Sequence, residues 1–90
     1  MRDIKEMESR MKAVVRLGKD AEFRQSVALE LFGRTDAEVD KALARGQLFG
    51  LSTLFKEDEL SEILRRTGSD PDKQRVVQAI FDSGWWNGTE

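Results

Sequence analysis

Acidic side chains are the main groups in this sequence that could do chemistry, because the chain contains neither histidine nor cysteine. Glu57, Asp58 and Glu59 stand together, and Glu62 follows three residues later. Clustered carboxylates can bind a hard cation, but a calcium loop spaces its oxygen ligands around a central glycine, which this segment lacks. We therefore expect a solvated, acid-rich helix start here and no metal site.

A second acidic group consists of Asp70 and Asp72, with Lys73 beside them. We expect these side chains to cap the start of a helix and to interact with its dipole. Without histidine or cysteine, the triads and dyads built on those residues cannot form. No glycine-rich phosphate loop is present either. Acid–base catalysis by paired carboxylates needs burial to shift their pKa values, and 90 residues offer little. The sequence predicts a protein that is not an enzyme and has no cofactor.

Basic side chains near the N terminus form the next feature. Four of them lie within about 60° of one another when the segment is drawn as a helix: Lys5, Lys12, Arg16 and Lys19. Residues 1–24 carry seven basic and five acidic side chains, whereas residues 51–90 carry five basic and eight acidic ones. This pattern is typical of a solvated helix face, and it also fits contacts with phosphates or an acidic protein surface.

A helix-turn-helix would have to lie between residues 39 and 55, and the sequence there does not suit one. The residue after the turn glycine Gly46 is Gln47, where the motif usually has a buried aliphatic residue. The supposed recognition helix would contain Gly50 near its start and no basic residue before Lys56. We therefore keep as the alternative function a DNA-associated regulator that contacts phosphates through the first helix.

Two adjacent tryptophans, Trp85 and Trp86, stand near the end of the chain and are its only tryptophans. If Gly84 ends the last helix in a Schellman motif, Trp85 packs back onto Ile80. The motif provides no such packing position for Trp86. Tryptophan is also enriched among the residues that dominate the binding energy of protein interfaces. Trp86 is therefore a candidate contact residue.

The segment "LFGLSTLF", residues 48–55, is the most apolar stretch of the chain. Its large side chains could cover the tryptophans within the molecule, or form with Trp86 an exposed patch typical of a protein partner or of self-association. The predicted partner-binding residues are Phe49, Leu51, Phe55 and Trp86. The favoured function is a small non-catalytic protein-binding module, such as an adaptor, inhibitor or assembly factor, of host or mobile-element origin. A homodimer through the same patch stays open.

Composition sets the wider limits. The chain is 39% hydrophobic and 36% charged with a net charge of −2, which gives no reason to expect a protein that coats nucleic acid. The N terminus lacks the continuous apolar core of a signal peptide, and no apolar stretch approaches the roughly 18 residues that span a bilayer. We expect a cytoplasmic protein without membrane contact.

The elements that position these residues are helices, because apolar residues recur at three- and four-residue intervals and no segment shows strand alternation. The first helix has such an apolar stripe, expected to face the core: Ile4, Met7, Met11, Val14 and Val15. The predicted helices cover residues 3–17, 21–32, 36–45, 54–66 and 71–83, before a polar tail at 87–90. The fold class is all-α, a compact single-domain bundle of about five short helices.

Overall fold

The computed structural model describes residues 4–83 and, within that range, contains helices joined by turns and no β-strand. The helices are α1 (Ile4–Lys19), α2 (Ala21–Ser26), α3 (Asp36–Ala44), α4 (Leu48–Ser52), α5 (Glu57–Arg65) and α6 (Pro71–Ser83), and a π-helical segment (Val27–Phe32) continues α2. The radius of gyration is 12.0 Å, close to the value of about 12 Å expected for a compact domain of this length. The predicted all-α bundle is confirmed.

Helices α1 and α6 form the largest contact between elements and run antiparallel. An Arg10 nitrogen lies 2.6 Å from Asp82 Oδ2, and Arg16 Nη1 lies 2.6 Å from Asp72 Oδ2. Near these two ion pairs α1 buries three side chains, Ala13, Val14 and Leu17. The order of these pairs along the two helices shows that α6 runs antiparallel to α1.

Helix α1 ends later than expected, at Lys19, because the Asp20 N–H still donates to the Arg16 carbonyl oxygen at 2.8 Å. Asp20 then caps α2 by accepting from the Phe23 N–H at 3.1 Å. The predicted helix over 21–32 is present, but its second half is π-helical. Four side chains of this segment are buried in the core, Val27, Ala28, Leu31 and Phe32.

Helix α3 begins with the predicted capping box. The Glu38 N–H donates to Thr35 Oγ1, and the Thr35 N–H donates to Glu38 Oε1, both at 3.1 Å. The helix ends in a tight turn in which Gly46 has a φ of 138° and Gln47 a φ of 50°. This turn reverses the chain so that α4 packs against α3.

Gly50 lies at the point where α4 meets α3. A Cβ atom added to Gly50 would lie 1.7 Å from the carbonyl oxygen of Ala42, a separation at which no side chain fits. Both residues are buried. Glycine at this position therefore sets how closely the two helices approach.

The start of α6 matches the prediction, since Asp70 Oδ1 accepts from the N–H groups of Asp72 and Lys73 at 3.0 and 3.2 Å. Helix α5 begins at Glu57 rather than at residue 54, because Lys56 has an extended backbone with φ −96° and ψ 163°. The polar tail expected at 87–90 lies outside the described residues.

Candidate functional site

Two of the predicted partner-binding residues, Leu51 and Phe55, are in the core, so their assignment to an exposed patch is wrong. Leu51 is 0% exposed and Phe55 is 6% exposed. The Phe55 ring packs edge-on against Phe32 with centroids 4.9 Å apart, and the Arg34 guanidinium carbon lies 5.4 Å from the centroid of the Phe55 ring. The physical reason is that Leu48–Ser52 forms a regular helix, α4, which turns Leu51 inward.

Phe49 is the member of the predicted patch that the structure leaves at the surface, with 46% of its area exposed. It follows the strained turn, and its Cβ lies 3.7 Å from where a Cβ on Gly46 would stand. Trp86 lies outside the described residues, as does the expected contact of Trp85 with Ile80. The structure therefore does not assemble Phe49, Leu51 and Phe55 into one surface.

Arg16 belongs to the fold rather than to an open basic surface. Besides its 2.6 Å contact with Asp72, its Nε lies 3.3 Å from Asp20 Oδ2, and its guanidinium carbon lies 4.2 Å from the Phe23 ring centroid. The hydrogen bond to Asp72 raises the pKa of Arg16 above its ordinary value and lowers the pKa of Asp72. Its predicted role in phosphate binding is weakened, because these groups already surround it.

The three lysines of the predicted basic surface, Lys5, Lys12 and Lys19, are all exposed on α1. They recur at seven-residue intervals, so they lie along one line of the helix surface. Glu8 is also exposed on α1 and projects between this line and the apolar residues beside it. The structure thus retains a row of lysines without Arg16.

Beside the lysine row runs an exposed apolar stripe, which we call the α1 stripe. Its four members, with their exposed fractions, are Ile4 (70%), Met7 (45%), Met11 (39%) and Val15 (37%). At 1.5 Å per residue the α1 stripe is about 16 Å long, and its members span about 80° of the helix circumference. Exposed apolar residues are ordinary when scattered singly, but a contiguous row is typical of an interaction surface.

The sequence predicts that five apolar residues of α1 face the core, Ile4, Met7, Met11, Val14 and Val15, and this prediction is right for Val14 and wrong for the four members of the α1 stripe. The face that packs against α6 instead carries Ala13, Val14 and Leu17. It is flanked by Arg10 and Arg16, whose carboxylate partners are on α6. These ion pairs accompany the burial of Ala13, Val14 and Leu17 against the rest of the bundle, and helical periodicity by itself contains no information about such long-range contacts.

A groove of about 440 Å³ lies between α1 and α6 near the end of α5. Its polar lining residues are Glu6, Arg10, Thr67, Gln74, Arg75 and Gln78. Most of these groups already have partners within the molecule: Arg10 pairs with Glu6 and Asp82, Gln74 Nε2 donates to the Gly68 carbonyl oxygen at 2.6 Å, and Thr67 Oγ1 donates to the Leu64 carbonyl oxygen. These polar groups are therefore used within the fold and do not form a site for a ligand.

The acidic cluster at residues 57–59 starts α5, as predicted, and the Glu59 N–H donates to Asp58 Oδ1 at 2.9 Å. Across residues 4–83 there is no group of three or more side chains of the metal-binding types placed to share an ion. None of the helices in the described part of the chain has the length and apolar character that crossing a bilayer requires.

Comparison of the chain with protein-family models, with curated proteins and with solved structures found no match. What the fold and surface define is therefore a class of molecule, an all-α bundle with an apolar stripe and a lysine row on its first helix.

Proposed function

We propose that this chain is a small non-catalytic protein-binding module that contacts its partner through the α1 stripe. The supporting observation is that Ile4, Met7, Met11 and Val15 lie exposed in one row on a helix whose other face is packed in the core. Covering such a row removes apolar area from water and stabilises a complex. Roles as an adaptor, inhibitor or assembly factor acting in the cytoplasm fit this surface.

Compared with the aromatic patch predicted from the sequence, the proposed surface moves from α4 to α1. Two of the patch residues are core residues, whereas the α1 stripe is continuous over three helical turns. A rigid, regular helix also loses little conformational entropy when a partner covers it. This favours α1 as the contact element.

The proposal is tested by affinity capture from cells that express the chain, followed by identification of captured proteins. Met7→Glu places a charge within the α1 stripe, and we expect it to reduce capture of the specific partner about tenfold or more, as loss of a central contact does. Leu29→Glu is the matched control, because Leu29 is 70% exposed but lies in the π-helical segment. Equal capture by both variants, with unchanged thermal melts, would contradict the proposal.

A DNA-associated regulator is the second candidate, supported by the exposed row of Lys5, Lys12 and Lys19. Three phosphate contacts would make binding to nonspecific duplex fall with salt at a slope of roughly −3 in log–log units. A fluorescence anisotropy titration at several salt concentrations measures that slope. Absence of binding at low salt removes this candidate.

A further inference from the structure

The occupant of the α1 stripe can be specified further, on the basis of the proposed function. We propose that it is an amphipathic α-helix of another protein, which bears carboxylates along one border of its apolar seam at seven-residue intervals. Shape, charge and the position of Glu8 support this choice.

Shape favours a helix as the occupant. The members of the α1 stripe are separated by three, four and four residues, which is the spacing at which one helix meets another along a seam. The α1 backbone is hydrogen-bonded within its own helix and cannot accept an added β-strand. A straight apolar row about 16 Å long is matched by about three turns of a second helix laid beside it.

Charge specifies the border of that helix. Lys5, Lys12 and Lys19 repeat with the same seven-residue period as a helix–helix seam, on one side of the α1 stripe. A partner with Asp or Glu at the same period would place one carboxylate opposite each lysine. Complementary charges of this kind set partner choice and orientation in paired helices.

A second copy of this chain fits this border poorly. Each copy would bring three lysines and the single glutamate Glu8 to the seam, so like charges would outnumber opposite ones. An anionic lipid surface fits less well than a helix, because headgroups would face Glu8 as well as the lysines, whereas carboxylates spaced seven residues apart can lie opposite the lysines alone. The lysines border the α1 stripe on one side only. A helix of another protein therefore needs negative charge on one border alone.

The test uses the full chain and two synthetic 21-residue helical peptides with the same leucine seam. One peptide carries glutamates along a border at seven-residue intervals, and the other carries lysines there. We expect the glutamate peptide to bind about fivefold or more tightly than the lysine peptide at low salt, since three exposed ion pairs replace three like-charge contacts. Isothermal titration calorimetry measures both affinities.

Charge reversal on the protein gives the sharper result. Lys12→Glu changes an exposed residue outside the core and should weaken binding of the glutamate peptide while strengthening binding of the lysine peptide. Met7→Glu should abolish binding of both, and Leu29→Glu should change neither. Equal affinity for the two peptides would overturn the charge assignment, even if Met7→Glu still lost its cellular partner and so upheld the proposed function.

Two other measurements decide between occupants. Concentration-dependent dimerisation of the wild type in sedimentation, lost in Met7→Glu, would overturn the proposal in favour of a second copy. Cosedimentation with vesicles of phosphatidylglycerol and phosphatidylcholine, lost in the same variant, would overturn it in favour of a lipid surface. A protein that stays monomeric, does not cosediment with vesicles and binds the glutamate peptide more tightly than the lysine peptide supports the proposal.

Discussion

At the scale of single residues, two positions in the connection from α3 to α4 have backbone requirements that few side chains meet. Gly50 has no room for a Cβ, because Ala42 O would lie 1.7 Å away. Gln47 has φ 50° and ψ −109°, a region in which non-glycine residues are strained. Both positions lie where the chain turns from α3 into α4.

Gly50→Ala should lower the free energy of unfolding by about 3 kcal/mol or more, at the upper end of overpacking costs, because the clash is with backbone that cannot rotate away. Gly18→Ala is the matched control, since the nearest atom to its added Cβ is Leu43 Cδ1 at 4.0 Å. Alanine there should stabilise α1 by up to about 1 kcal/mol. Urea titrations measure both, and equal effects would show that α3 and α4 can separate freely.

Gln47→Gly should raise the free energy of unfolding by about 1 kcal/mol, because glycine adopts this backbone conformation without steric cost. Gln47→Ala retains the Cβ and should change stability little. The same urea titrations apply. Should the alanine variant gain as much as the glycine variant, the backbone strain at this turn is not the cause.

At the scale of elements, the sequence was sufficient at the helix starts that a side-chain cap defines. The capping box of Thr35 and Glu38 and the Asp70 cap of α6 form as predicted. The end of α1 was missed, because Gly18 was expected to stop a helix that continues to Lys19. The π-helical segment was missed as well, because its apolar spacing is the same as that of an α-helix.

The candidate site was less predictable than the helices, because it depends on which face of α1 is buried. The residues Ile4, Met7, Met11 and Val15 were identified as one stripe, but the stripe was assigned to the core. The buried face is instead the one that meets α6, where Arg10 and Arg16 pair with carboxylates far away in sequence. Such long-range pairs cannot be inferred from a local pattern.

At the scale of the whole molecule, stability should depend on pH in acid. The pKa values of four carboxyl groups, Asp20, Glu30, Glu38 and Asp72, are lowered in the folded chain. The leading cause is a hydrogen bond in each case, from the Phe23 N–H, the Ser26 hydroxyl, the Thr35 N–H and the Arg16 guanidinium respectively. A carboxyl group whose pKa is lowered by folding stabilises the fold at pH values above its unfolded pKa, which is about 3.9 for Asp and 4.3 for Glu.

We therefore expect the free energy of unfolding to stay nearly constant from about pH 8 to pH 6 and to fall below about pH 4, as these carboxylates take up protons. The chain has no histidine to titrate in the upper range. Asp72→Asn should lower stability at neutral pH and make the decline in acid shallower. Urea titrations at a series of pH values measure both, and an unchanged slope in the variant would show that Asp72 does not contribute.

The antiparallel contact of α1 and α6 has a consequence for how the chain folds during synthesis. Arg10 and Asp82 are 72 residues apart, so the two helices in the largest contact are the first and last of the described chain. Contacts of such sequence separation require closure of a long loop and slow folding. On the ribosome α1 emerges before α6, so the part of its inner face that packs against α6 stays uncovered until α6 leaves the exit tunnel.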